Sequence, residues 1–316
     1  SGWCGLTCSL AMSSRRIRHI LELSQQERKE FLDSFDCVLT DCDGVLWTVF
    51  EPIPGVGAGL TGLLAAGKTI RYITNNSVRS LASYSAHLLT LGVTLDPADL
   101  INPAKSIVGH LRSINFRGLI YCLGTDSFKG VLREGGFEVV DGPNEPLQEN
   151  FREIIGTVDD RAPVRAVVVD VDFNVNYPKL LRAEFYLKTD PTCLLVAGAT
   201  DRVLNTGRGF NLIGPGRFLD ILERSTGRKA IVLGKPGEVL ARQVVKEYGI
   251  RDPGRVLMVG DMMEQDVAFG SRCGFQRLLV LSGGASREDM MKEADGACVP
   301  DYYADSLADF KNLFEC

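Results

Sequence analysis

The stretch Phe35–Phe50, FDCVLTDCDGVLWTVF, is a short apolar run that closes on two aspartates one residue apart, Asp41 and Asp43, with Gly44 directly after them. A strand buried in a sheet gains nothing from carboxylates at its end unless something there uses them, because burying an unpaired charge is costly. In extended backbone, side chains two apart point to the same side, so Asp41 and Asp43 can face one site. Gly44 then lets the chain turn closely around a ligand.

The same rhythm recurs along the chain. The apolar runs TIRYIT (69–74), KAIVLG (229–234), RVLMVG (255–260) and RLLVL (277–281) alternate with helix-period segments, the pattern of βα units on a parallel sheet. Four of these runs stop on a polar residue: Asp41, Thr74, Lys235 and Asp261. In an open parallel sheet such ends lie along one edge, where ligands bind. Residues nearly 200 positions apart are therefore expected to meet. Upstream, Ser24 and Glu27 in SQQERKEF stand at capping-box spacing and predict a helix that delivers the chain into the first strand.

Between Thr74 and Lys235 lie about 160 residues, far more than one crossover needs. This interval has its own strand-like runs, GLIYCLG, RAVVVDVDF and CLLVAGA, and the helical stretch YPKLLRAEFYLKT, so it can bury a separate core; DGPNEPLQENF reads as an exposed loop within it. The expected fold is α/β: a doubly wound, Rossmann-like parallel-sheet core over residues 24–110 and 229–316, with a large inserted α/β cap over 111–228. Residues 1–23 read as a flexible leader or remnant, with Met12 a plausible native start.

Composition limits the function. Of 316 residues, 45% are hydrophobic and 24% charged, with a net charge of −5, so there is no basic field for nucleic acid. No apolar run reaches the roughly 20 residues of a membrane span, and a soluble, cytoplasmic protein is expected. Nine cysteines are scattered, among them Cys37, Cys122, Cys193 and Cys298 inside apolar runs, with no close CxxC, which fits reduced buried thiols. His19, His87 and His110 lie apart from one another and from every motif, and are read as structural or surface residues.

The chemistry follows from the residue types. Asp41, Asp43 and Asp261 make an all-oxygen environment suited to a hard cation, magnesium above all. Without such an ion three clustered acids would repel and raise one another's pKa; with it, at least one stays ionised and nucleophilic. Lys235 adds a fixed positive charge, and Thr74 with the amides of Asn75 and Asn76 in TNNS offers donors at a strand-to-helix turn. A carboxylate nucleophile, an acid two residues on and an anion cradle specify phosphoryl transfer through an aspartyl-phosphate.

DCDGVLW, TNNS, GKP and GDMMEQD, in that order and spacing, resemble the four motifs of haloacid dehalogenase-type phosphatases. NYPKLLRA, GATD, GPG and ERSTGRKAIVLGKP resemble the branch containing phosphoglycolate phosphatase, pyridoxal phosphate phosphatase and the 4-nitrophenyl phosphatases, over nearly all of the chain after about residue 24. The resemblance implies that Asp41 is the nucleophile and a metal ligand. It implies that Asp43 protonates the leaving oxygen, later activates water, and lends its backbone carbonyl to the metal. Asp261 would be the remaining carboxylate ligand, with Asp266 ordering the metal's waters. Thr74, Asn75 and Lys235 would hold the phosphoryl group, completed by amides around Asp43 and Gly44. The implied activity is magnesium-dependent hydrolysis of a small phosphorylated metabolite, phosphoglycolate-like or pyridoxal phosphate-like, by a homodimer joined through the cap. A phosphoprotein phosphatase and a catalytically weak binding protein that kept the fold are the alternatives.

Some positions depart from the pattern. Thr40 precedes the nucleophile where an apolar residue is commoner, and Met262, Met263 and Glu264 replace more polar residues; drift and an altered metal pocket are the two readings. A second acid pair, Asp170 and Asp172 in DVDF, lacks the following glycine and falls in the cap, so it is read as non-catalytic. Trp47 and Phe50 can line the leaving-group pocket or simply pack. Arg202 and Arg208 can recognise a second anionic group or lie on the surface.

Overall fold

A computed structural model describes residues 17–48, 51–205, 210–292 and 299–314. Met12, Phe50, Arg208 and Cys298 lie outside the described residues. Fourteen strands are described, numbered in chain order: β1 (Arg18–His19), β2 (Cys37–Thr40), β3 (Thr69–Ile73), β4 (Leu100–Ile101), β5 (Leu119–Leu123), β6 (Val139–Val140), β7 (Val164–Val169), β8 (Leu194–Ala197), β9 (Val203–Asn205), β10 (Asn211–Ile213), β11 (Ile231–Val232), β12 (Val256–Gly260), β13 (Gln276–Val280) and β14 (Tyr302–Ala304). They build a seven-stranded parallel sheet in the order β1-β14-β13-β12-β2-β3-β4, a five-stranded parallel sheet in the order β11-β8-β7-β5-β6, and the antiparallel hairpin β9–β10. The doubly wound core with an inserted α/β unit is thus the observed architecture.

In the larger sheet β2 stands between β12 and β3. From β2 the chain winds outward through β3 and β4; from β12 it winds the other way through β13 and β14. The point where winding reverses is where parallel sheets leave a crevice at their C-terminal edge. Asp41 and Asp261 follow β2 and β12 directly, and the ladder continues past β2, with Asp41 N donating to Val259 O at 2.8 Å. Both faces of this sheet are covered. Val38, Ile70, Tyr72, Leu257 and Leu278 pack on one side with Leu60, Leu63 and Phe310, while Leu39, Ile73 and Met258 pack on the other with Leu240, Val244 and Phe269. Continuous apolar runs are what such doubly covered strands require.

Two expectations are corrected. KAIVLG was expected in the core sheet, but Ile231–Val232 pairs with Val196–Ala197 of the cap sheet. An apolar run reports that it will be buried, not which neighbour it pairs with, and Leu233 settles among Ile107, Cys122, Val168 and Val196. That cluster also takes in Ala104 and Leu111, so cap packing interleaves across the expected limits at residues 111 and 228. Second, residues 18–23 are not a flexible leader. β1 extends the core sheet against β14, Ile20 and Leu23 are buried, and the Ser24–Glu27 capping box forms as predicted, Glu27 N donating to Ser24 Oγ and Ser24 N to Glu27 Oε2. Two residues of strand carry too little periodicity to be seen in sequence.

Among the described residues no helix is long and apolar enough to cross a membrane. The five described cysteines, Cys37, Cys42, Cys122, Cys193 and Cys273, are all free.

Helix Val56–Ala65 packs against the segment at Leu307 so closely that a Cβ on Gly59 would lie 2.2 Å from Leu307 O. Gly59→Ala should lower stability by about 1–3 kcal/mol, the usual cost of overpacking. A urea midpoint equal to that of the unaltered chain would contradict this packing.

Candidate active site

The site is built from strand ends. Asp41, Thr74 and Asp261 follow β2, β3 and β12 of the core sheet, whereas Lys235 arrives three residues after β11 of the cap sheet. All four meet. The Lys235 ammonium, 1% exposed, lies 2.9 Å from Asp41 Oδ1 and 2.6 Å from Asp266 Oδ1. Asp266 sits in the wide turn Met263–Val267, and its Oδ2 accepts from the amides of Asp261 and Met262 at 3.1 and 3.0 Å. Both of its oxygens are therefore occupied by protein donors. Asp261 Oδ2 accepts from Gly284 N at 2.6 Å, but Asp261 Oδ1 is buried with no hydrogen-bond partner.

The electrostatics describe a site short of positive charge. Burial raises the pKa of Asp41 well above the ordinary carboxylate value, and the charges of Asp266 and Asp261 add to this against the pull of Lys235. Burial likewise raises Asp261, pushed up to about 7, with Asp266 adding to it. Burial acts to lower Lys235, yet Asp266 and Asp41 together hold it above its usual value. Three carboxylates face one ammonium, so two negative charges are left over. Oxygen atoms of Asp41, Asp261 and Asp266 lie within 4.8 Å of one another, all buried. A divalent hard cation fits this set: it matches the residual charge, takes oxygen donors, and gives Asp261 Oδ1 the partner it lacks.

The backbone presses in around these acids. Gly44 holds φ +84°, and a Cβ there would lie 2.3 Å from Asp261 Oδ2; one on Gly283 would lie 2.1 Å from the same atom. Ser282 Oγ donates to Gly44 O at 2.8 Å. The segment after β13 is thus a wall of the site that the sequence reading did not pick out. Its signal was present: Ser282-Gly283-Gly284 follows a core strand, at the same edge as the aspartates.

Asp43 is set apart from the lysine cluster. Its Oδ1 accepts from Trp47 Nε1 at 3.1 Å and its Oδ2 from Asn76 Nδ2 at 3.1 Å, with Arg79 Nη2 3.7 Å from Oδ1. Burial raises the Asp43 pKa, with Arg79, Asn76 and Trp47 opposing. Trp47 is fully buried beside Tyr84 and His87, so it packs and holds Asp43 at once. His87 Nε2 lies 3.0 Å from Arg79 Nη1 and so supports that arginine.

The side chains of Thr74, Asn75 and Asn76 in the TNNS loop are engaged within the protein. Thr74 Oγ1 accepts from Asn76 N at 3.0 Å, and its hydroxyl also interacts with Tyr84. The Asn75 side chain is occupied: its Oδ1 accepts from Lys235 N at 2.7 Å, and its Nδ2 donates to Lys235 O at 3.1 Å and Asp201 Oδ2 at 2.9 Å, with Gln265 Oε1 at 3.4 Å. Asn75 and Asn76 thus hold Lys235 and Asp43 through their side chains. Thr40 Oγ1 donates to Asp41 O at 2.8 Å, a local bond that replaces the commoner apolar contact.

The second acid pair is structural. Asp170 is buried and accepts from Val171 N and Ala199 N; Asp172 pairs with the buried Lys179 at 2.9 Å. Arg202 is tied to Asp220 at 3.1 Å on the surface.

Comparison with known proteins agrees with this geometry. A family model described as haloacid dehalogenase-like hydrolase matches residues 38–138, and a second, HAD-hydrolase-like, matches residues 232–310. The chain is 33% identical over 313 residues to glycerol-3-phosphate phosphatase from Gallus gallus, covering 96% of this chain and 99% of that one. Among solved structures, p-nitrophenyl phosphatase from Archaeoglobus fulgidus superposes with a TM-score of 0.74 at 26% identity, covering 88% of this chain and 99% of that one. A glycerol phosphate phosphatase from Mycobacterium tuberculosis in complex with magnesium superposes with a TM-score of 0.70 at 26% identity, covering 88% and 77%.

A carboxyl whose folded pKa lies above its unfolded value contributes stability in full below the unfolded value and loses it as pH rises through the folded one. For Asp261 that window runs from 3.8 to about 7. Asp261→Asn cannot ionise, so in chelator its stability relative to the unaltered chain should improve across that window by at least about 1 kcal/mol. Denaturant titrations at both ends of the window check this; parallel behaviour would refute the buried, unpaired acid.

Proposed function

Because the chain belongs to the haloacid dehalogenase-like hydrolases, we propose that it is a magnesium-dependent phosphomonoesterase that cleaves small phosphorylated metabolites through an aspartyl-phosphate on Asp41. The observation that carries this reading is the buried Lys235 ammonium between Asp41 and Asp266, with Asp261 Oδ1 lacking a partner alongside. Asp41, Asp261 and the backbone carbonyl of Asp43 would hold the ion, with Asp266 ordering its waters, and the ion would neutralise phosphoryl charge.

The chain's own groups supply the rest. Lys235 engages Asp41 Oδ1, which leaves Oδ2 to attack phosphorus. As the bond to the leaving oxygen breaks, Asp43 gives that oxygen its proton; the raised Asp43 pKa favours the protonated form this needs. In the second half Asp43, now a carboxylate, takes a proton from water, and the water oxygen displaces Asp41 from phosphorus. Inorganic phosphate leaves and both aspartates are restored. Lys235, the Thr74 hydroxyl and the amides around Asp43 and Gly44 would hold the phosphoryl oxygens, in a site that needs no rearrangement as charge develops.

The cap limits the substrate. Asp201, four residues after β8, hydrogen-bonds Asn75 beside Lys235, which brings the cap to the edge of the site and favours small esters over a phosphoprotein. Glycerol-3-phosphate joins phosphoglycolate-like and pyridoxal phosphate-like esters as the first substrates to test, given the relatives above. A cytoplasmic homodimer joined through the cap completes the reading; Phe151 and Ile155 are exposed apolar side chains on a cap helix that could serve such a contact.

Magnesium should restore turnover of 4-nitrophenyl phosphate to chelator-treated protein, and Asp41→Asn, which keeps a side-chain oxygen beside Lys235, should lower it at least about 10³-fold. Substantial turnover in Asp41→Asn, or none gained with magnesium, would overturn the covalent, metal-assisted mechanism.

A further inference from the structure

The Asn75 side chain touches the lysine motif, the GDMMEQD turn and the cap together. Its carboxamide pairs with both backbone groups of Lys235, accepting from N at 2.7 Å and donating to O at 3.1 Å, and reaches Gln265 at 3.4 Å. Asp201 Oδ2 accepts from Asn75 Nδ2 at 2.9 Å, which adds a charged acceptor to the amide orientation that the Lys235 backbone also requires. An amide turned over would set its oxygen against the Asp201 and Lys235 oxygens and its NH2 against the Lys235 N–H.

Asp201 is itself held from behind by cap motifs that the chemistry does not otherwise use. Its backbone carbonyl accepts from Gly216 N at 3.0 Å, in a turn so close that a Cβ on Gly214 would lie 2.1 Å from that oxygen. Two residues earlier, Ala199 N donates to the buried Asp170 carboxylate at 2.9 Å. The ends of β8 and β11 nest as tightly, since a Cβ on Gly234 would lie 2.5 Å from Gly198 O and 3.0 Å from Asn75 Oδ1. DVDF, GATD and GPG thus form one support that ends on the Asp201 carboxylate.

We propose that Asp201 is a positioning residue for the reaction: from the cap it orients the Asn75 amide, which sets the backbone of Lys235 and so places the ammonium between Asp41 and Asp266. This rests on the phosphatase reading for its catalytic consequence, but the positioning link is a property of the fold. Cap and catalytic lysine are thereby joined through a side-chain hydrogen bond as well as through the chain.

The test uses the full chain with Asp201→Ala, Asp201→Asn, Asn75→Ala and the Asp201→Ala/Asn75→Ala double variant. Asp201→Ala should lower kcat/KM for 4-nitrophenyl phosphate about 10–100-fold, the scale of a small misplacement in an active site. Asp201→Asn keeps an acceptor oxygen and should recover much of this, and Asp201→Ala should cost less than about 2-fold more once Asn75 is gone. Amide hydrogen exchange at Lys235 should quicken in Asp201→Ala and not in Asp201→Asn. Full additivity in the double variant, or unchanged exchange at Lys235, would overturn the proposal. If the unaltered chain hydrolysed no phosphate ester while Asp201→Ala still quickened that exchange, the phosphatase reading would fall and the positioning link would stand.

Discussion

The Lys235 ammonium between Asp41 and Asp266 is the contact on which the rest of the site depends. A buried charge persists only where opposite charge and hydrogen bonds replace the water it has lost. Lys235 receives two carboxylates, and Asp266 in turn fixes the amides of Asp261 and Met262. The turn that carries Asp261 is therefore shaped by the same carboxylate that holds the lysine. One ammonium does not balance three acids, and the surplus makes the site a receptor for a divalent ion.

That contact also joins two separately packed units. Lys235 leaves the cap sheet, yet the two carboxylates in contact with its ammonium, Asp41 and Asp266, belong to the core. The cap cannot move far without exposing or unpairing a buried charge at its base. Asn75 reinforces this from the core side by pairing with the Lys235 backbone, and Gly44 and Gly283 allow the chain to close over Asp261 where any side chain would collide.

Much of the site could be read in sequence because polar residues ending apolar runs are costly and rare unless used. Asp41, Thr74, Lys235 and Asp261 are legible in that way, and the structure brings Asp41, Lys235 and Asp261 together. Asp266 came with the motif that contains Asp261. The missed residues share a physical cause. Asp201 and Gln265 stand in the quoted GATD and GDMMEQD stretches and Arg79 near TNNS, yet what each touches lies across the fold and is not written in its own segment. Asn75 and Asn76 were recognised, but a side-chain amide in sequence does not disclose whether it faces a ligand or a backbone. Residues 18–23 were misread because two residues of edge strand are too short to show a period.

The amino-acid sequence by itself determined the alternation of buried strands and amphipathic helices, the placement of acids and a lysine at strand ends, and with them a phosphate-handling site. These are local properties, set by which residues lose least when buried and which cannot be buried unpaired. Tertiary structure alone decided that β11 pairs with β8, that Asn75 grips Lys235, and that Asp201 reaches the core from the cap. Partner choice is fixed by packing and by the balance of buried charge over the whole molecule, and no single segment carries that information.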